Sequence, residues 1–298
     1  MGYKDSTGKV VIEPKYNGAN NFIEDMATVN LGGTMENWKV TGGKWGLLHI
    51  SGREIVQPKY DLLKDFSEGL AAFNIGGAAS GNLFSGGKWG FINKAGKEVV
   101  PAKYEAVTAL TNGFALVNKG GTITMYGAEG GKWGMIDKNG REVIATKYDD
   151  LVAYKDGFAK MNIGGLRRGS TVARGGKWGL LDKKGMEVVP AKYDLIGDIS
   201  EGMIAVASNG KWTLIDKTGK EIMPFKFDEV RGMSEGLAAV ALSADRNSYG
   251  KKWGYVDKTG RMVVPATFDE AGYFKNGVAL VKQAGRSFKI DKTGKEIQ

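Results

Sequence analysis

Short apolar runs alternate with clusters of glycine, lysine and aspartate along the whole chain, and no stretch keeps the spacing of an amphipathic helix. Ala27, Ala71, Ala115, Ala159, Ala238 and Ala279 each stand two residues before a larger apolar side chain: Val29, Phe73, Val117, Met161, Val240 and Val281. This period of two predicts a strand with a small and a larger side chain on one buried face. A second strand of the WGLLD type and a third of the EVVP type follow, here called the tryptophan and proline strands, after the alanine strand. A Lys-Tyr-Asp segment such as Lys192-Tyr193-Asp194 is the candidate fourth strand.

The turns are as regular as the strands. Asp-Lys-x-Gly joins the tryptophan and proline strands at Asp137–Gly140, Asp182–Gly185, Asp216–Gly219, Asp257–Gly260 and Asp291–Gly294. The Asp side chain accepts backbone N–H bonds at the start of such a turn, and the Gly supplies the positive φ that closes a bulged hairpin. Pro58, Pro101, Pro190, Pro224 and Pro265 lack a ladder donor, so they should mark a strand end or a sheet edge.

These elements recur as a unit. Lys-Trp-Gly stands at Trp45, Trp89, Trp133, Trp178 and Trp253, Lys-Trp-Thr at Trp212, and successive Trp residues are 44, 44, 45, 34 and 41 apart. The expectation is one repeat domain over residues 1–298, with units near 1–44, 45–88, 89–132, 133–177, 178–211, 212–252 and 253–298. A lone unit has too little core, so sheets must stack. An all-β tandem array results, favoured as a seven-bladed β-propeller-like form, with an open β superhelix (solenoid) as the alternative. Eight D-x-x-G-type hairpins against seven alanine strands leave one hairpin surplus to a simple ring.

The segment KWGLLDKKGMEVVPAKYDLIGDISEGMIAV is similar to the WG-containing (KWG) repeat of bacteria, and the likeness runs over essentially the whole chain. The resemblance implies a repeat array common in bacteria, without a general activity or catalytic residues to carry over. His49 and Asn93 stand where the turn Asp is expected, Thr213 where the Gly after Trp is expected, and Lys160 among apolar strand positions. These read as drift.

Composition narrows the chemistry. Glycine is 46 of 298 residues and cysteine is absent, which removes disulfides, thiol catalysis and cysteine metal sites. The formal charge of +9 comes from lysines spread over nearly every repeat, a solvated shell rather than a groove, so specific nucleic-acid binding is not expected. The N-terminus has no charged-then-apolar leader and no apolar run approaches ~18 residues, so a soluble chain without membrane insertion is expected. Compartment stays open; a leader trimmed from a longer protein would place the array in the periplasm or at the cell surface.

Candidate sites are few. His49, the only histidine, sits in a turn and reads as an Asp replacement rather than a base or ligand. Asp-Lys-x-Gly lacks the ligand ladder of a calcium loop, and neither metal nor cofactor is expected. The repeated Trp, a possible stacking platform, reads as inter-repeat core. Glu68, Glu201 and Glu235 in Ser-Glu-Gly turns could serve a hydrolase, the weakest reading.

The informative variation is an insertion in the first four copies. Glycine pairs frame TMENWKVT, AASGNLFS, TITMYGAE and LRRGSTVAR, with a shorter relative around Ser243–Asn247. All join the same two strands and should emerge on one face. They should expose Met35, Trp38, Leu83, Phe84, Met125, Tyr126, Leu166, Arg167 and Arg168, residue types enriched at binding hot spots. Trp38, Phe84, Tyr126, Arg167 and Arg168 are the candidate binding residues of a non-enzymatic scaffold whose partner is another protein. A carbohydrate or cell-surface polymer is the alternative ligand. The bland alternative is that the inserts are simply longer hairpins.

Overall fold

The computed structural model describes residues 1–36, 39–80, 83–124, 126–169, 171–243 and 250–297. It is all-β, with no helix among those residues. The propeller-like, blade-type unit is a four-stranded antiparallel sheet, as in Gly18–Ala19, Met26–Glu36, Lys39–His49 and Glu54–Tyr60, hydrogen-bonded in that order. The surplus hairpin is a sheet by itself: Tyr3–Lys4 pairs with Val10–Ile12 and with no other strand.

Two details of the expected strand order change. Lys-Tyr ends the proline strand, Tyr60 lying opposite Trp45 and Tyr193 opposite Trp178. The fourth strand instead starts just past the Asp, as the short pairs Leu62–Leu63 and Ala106–Val107 that open the next sheet. Pro58, Pro101, Pro190 and Pro265 run inside seven-residue strands that are outermost in their sheets, where a missing donor costs no ladder bond, whereas Pro224 lies in no strand.

Except in the last copy, where Leu280 is 59% exposed, the alanine strand is buried on both faces, not one. Ala71 and Phe73 are covered, and so is Ala72 between them at 4% exposure; Thr28 between Ala27 and Val29 is at 1%. A sheet stacked between two others has no solvent face. Lys160, at the corresponding position, is therefore half-buried, and it bonds Asp198 at 2.7 Å.

Chain contacts divide the protein into two compact units: Met1–Ala153 with Gly165–Arg174, and Tyr154–Gly164 with Gly175–Gln298. In the first, Trp45 packs with Leu63, Phe66 and Phe73 of the following sheet, and Trp89 with Leu110, Val117 and Ile136. In the second, Trp253 packs with Phe274, Ala279 and Val281. The repeated indole thus joins neighbouring sheets, and these three Trp are at 8%, 8% and 6% exposure.

Candidate functional site

The recurrent polar residues are first accounted for, since what they leave over is the candidate site. Each Lys of Lys-Trp-Gly reaches the acidic residue 17 positions on: Lys44–Asp61 and Lys132–Asp149 at 2.6 Å, Lys177–Asp194 at 2.5 Å, and Lys88–Glu105. These motif lysines are therefore paired with carboxylates. Two tyrosines of the Lys-Tyr segments donate to a glutamate of the next sheet, Tyr60 to Glu98 at 2.9 Å and Tyr16 to Glu54 at 2.6 Å. Burial first, and the glutamate second, push the Tyr60 hydroxyl well above its ordinary pKa and keep it a donor.

The Ser-Glu-Gly turns are clasps between repeats. The Ser67 hydroxyl donates to the Leu110 carbonyl at 2.7 Å, while the Glu68 carboxylate accepts from Asn112 and Gly113 N–H at 2.8 and 2.5 Å. Ser234 and Glu235 repeat this on Phe274, Asn276 and Gly277, and Glu201 accepts from Gly236. Lys258 and Lys292 add ion pairs to Glu201 and Glu235 at 3.2 Å. Glutamate here adopts a positive φ, 51° at Glu68 and 50° at Glu235, a conformation Asn tolerates better. Its longer reach to the next turn offsets that strain. The bond from Gly277 N–H is the main cause that holds the Glu235 carboxyl below its ordinary value. For Glu201 burial opposes ionisation, but Lys258 and the Gly236 N–H outweigh it.

His49 does the work of the turn Asp: its Nδ1 accepts the Ser51 N–H at 3.1 Å, as Asp137 Oδ1 accepts Asn139 N–H at 2.8 Å. That bond places the ring proton on Nε2. Among the described residues no three metal-ligating side chains stand together.

The inserts extend the central hairpin. In the first three copies the alanine and tryptophan strands run 11 residues each through the glycine frame, with Gly33 opposite Gly42 and Gly121 opposite Gly130; in the fourth they run nine. Their base is held by asparagines that the sequence reading passed over. Asn30 and Asn118, fully buried, accept from Gly33 and Gly121 N–H at 3.0 and 3.1 Å, and donate to the Gly42 and Gly130 carbonyls at 3.1 Å. Asn74 and Asn162 donate likewise to Gly86 and Gly175. A Cβ on Gly43 would lie 2.3 Å from Gly33 N and 2.6 Å from Asn30 Oδ1, which explains the glycine frame. The signal was legible: Asn opens each Asn-x-Gly-Gly, whereas copies without that frame carry Ala207 and Ala241, which face Trp212 and Trp253 as Asn30 faces Trp45.

In the first unit the fourth insert folds onto the third. Arg167 donates to Asp150, which is fully buried, at 2.5 Å and lies over the Trp133 ring at 4.2 Å. Asp150 also accepts Leu151 and Ala173 N–H at 2.8 and 2.7 Å. Elsewhere the cation over the Trp comes from the segment after the short strand: Lys64 over Trp89, Arg231 over Trp253. Thr108 occupies that place before Trp133, so the insert supplies the cation instead. Gly169 then lies against the Tyr126 backbone so closely that a Cβ would come within 2.1 Å of its carbonyl.

Of the candidate binding residues, Tyr126 is 67% exposed at the tip of the third hairpin and Arg168 is exposed beside it in the chain from Gly169. Leu166 and Val172 join them at 51% and 57%. Arg167 is committed to Asp150 and Trp133. Phe84 is half-buried, edge-on to Trp89 at 5.9 Å, so it belongs to packing rather than to an open tip. Met35 is 40% exposed. Trp38, Met125 and the short insert at 244–249 lie outside the described residues, as does the side chain of Leu83.

The class defined here is an all-β repeat protein whose recurrent residues hold sheet to sheet, with Tyr126, Leu166, Arg168 and Val172 exposed on its hairpin extensions. The chain belongs to the WG containing repeat family, matching it over residues 1–34, 45–77, 89–122, 133–166, 178–212, 212–242 and 253–286. No curated protein matches it. Among solved structures it is similar to a eukaryotic initiation factor, at 10% identity over 98% of this chain and 80% of that one, with a TM-score of 0.41. It is also similar to the β-propeller domain of the Trilobed protease from Pyrococcus furiosus, described as having an open velcro topology. That likeness is at 12% identity over 95% and 98% of the two chains, with a TM-score of 0.33. No helix among the described residues is long and apolar enough to cross a membrane.

Proposed function

We propose that this protein is a non-enzymatic binding module that holds a protein partner on the third and fourth hairpin extensions. One observation carries this reading: Tyr126, Leu166, Arg168 and Val172 are exposed on backbone that Asn118, Asp150 and Arg167 hold in place. Aromatic, aliphatic and arginine side chains on a pre-ordered loop bind with little ordering cost. The engagement of Glu68, Glu201 and Glu235 with neighbouring backbone supports a structural role for the carboxylates a hydrolase would need.

A photo-crosslinking residue at position 126 identifies the partner as a covalent adduct, and the same residue at exposed Tyr273, in the second unit, serves as control. With that partner purified, Arg168→Ala should weaken binding about tenfold, the usual loss at a hot-spot arginine. An unchanged Kd for Arg168→Ala combined with Tyr126→Ala, in a protein of unchanged Tm, rejects the assignment.

A further inference from the structure

The fifth copy departs from the others at several positions whose consequences meet in one place. In five copies the residue after Trp is Gly, and the proline strand passes so close that no side chain fits. A Cβ on Gly179 would lie 2.4 Å from the Val189 carbonyl, and one on Gly254 equally close to that of Val264. Thr213 occupies this position in copy five, fully buried, and its hydroxyl donates to the Met223 carbonyl. The facing segment does not form a regular strand: residues 221–227 pair with the tryptophan strand through isolated bridges at Ile215–Glu221 and Trp212–Phe227, without the middle pair that Leu180–Val189 and Tyr255–Val264 make in other copies. The missing pair lies beside Thr213, at the place where the other copies carry no side chain.

Beside this irregular segment lies a groove of about 380 Å³. Lys192 and Tyr193 of the preceding proline strand form one wall, the hairpin end at Ser208, Asn209 and Lys211 the rim, and Glu221 and Phe225 the other wall. In earlier copies the tyrosine donates to the glutamate that begins the next proline strand, as Tyr60 does to Glu98. Tyr193, at 1% exposure, has no acceptor for its buried hydroxyl, because Glu221 stands with Lys192 instead, at 3.6 Å. Phe225 is a second departure. Ala102, Ala191 and Ala266 hold its place elsewhere, whereas here a half-buried ring lies 6.2 Å from that of Tyr193, tilted by 31°.

We infer that this groove binds a neutral sugar ring, independently of the protein-binding extensions. An aromatic face suits the C–H face of a pyranose, and both donors (Lys192, Asn209) and acceptors (Glu221, Ser208) line the groove, as hydroxyl groups require. The walls carry no uncompensated charge, since Lys192 faces Glu221 and Lys211 is paired with Asp228 at 2.6 Å. An anion therefore has no free cation to recognise here. The volume lies in the range of small-molecule sites.

The test is a titration of the full chain with methyl glycosides of glucose, galactose, mannose and N-acetylglucosamine, read by amide chemical shifts. At least one should shift Ser208, Asn209 and Phe225 with a Kd on the order of 1 mM. Phe225→Ala, which restores the residue found in other copies, should weaken it about tenfold. Thr213→Gly removes no ligand contact but should let 221–227 pair fully, seen as slowed amide exchange, and abolish binding. Three results overturn the inference: no glycoside shifting these amides, inorganic phosphate or an acidic peptide shifting them in place of the glycosides, or binding that survives in a Thr213→Gly protein with the ladder restored.

Discussion

Asn118→Ala tests whether the glycine-framed extensions depend on their buried amide. The side chain is fully buried and makes two bonds of 3.1 Å, one from Gly121 N–H and one to the Gly130 carbonyl. Alanine leaves both backbone groups without a partner at the foot of the hairpin. A buried orphan costs about 1–3 kcal/mol, and both glycines are only half-buried, so water recovers part of that loss. The expected destabilisation is about 2 kcal/mol. Hydrogen exchange at Gly121 should accelerate about 30-fold, and the urea midpoint of unfolding should fall. Asn118→Asp is a stringent companion: it keeps an acceptor for Gly121 but turns a second one toward the Gly130 carbonyl. It should be at least as damaging near neutral pH and recover in acid, where a protonated carboxyl donates again. A loss under about 0.5 kcal/mol for Asn118→Ala, with Gly121 exchange unchanged, would show that the glycine frame has another cause.

Two further outcomes follow from the clasps and the buried pair. Arg167→Ala strands the fully buried Asp150 carboxylate and should cost about 3–5 kcal/mol, with exchange rising at Ala173; Asp150→Asn paired with Arg167→Met should recover much of it, measured by urea unfolding. Acid should loosen the second unit in steps, because its key carboxylates have depressed pKa values and so stabilise it above their ordinary values. The Glu235 clasp on Asn276 and Gly277 is lost as pH falls below about 4.5, and the Asp198 pair with Lys160 and Lys155 as pH falls from about 3.8 through about 2. Carboxyl carbon titration checks both, and ordinary midpoints at Glu235 and Asp198 would refute the mechanism.

Strand type, hairpin position and repeat order were legible in the sequence because each rests on local chemistry: a two-residue apolar period, an Asp that bonds its own turn, a Gly with positive φ. His49 was readable for the same reason, since its Nδ1 serves the turn of which it is part. What only the tertiary structure decided involves residues brought together from neighbouring repeats. The Ser67–Glu68 clasp reaches positions 43 to 45 residues on, and the second buried face of the alanine strand exists only once another sheet covers it. The candidate residues were divided on the same ground. Arg167 has the composition of a contact residue, yet its place before Trp133 was left open by Thr108, so it became part of the support, while Tyr126 and Arg168 stayed in solvent. Thr213 read as drift because one missing glycine has no local signature. What it changes is the pairing of the segment that passes beside it, and that proximity arises only in the folded sheet.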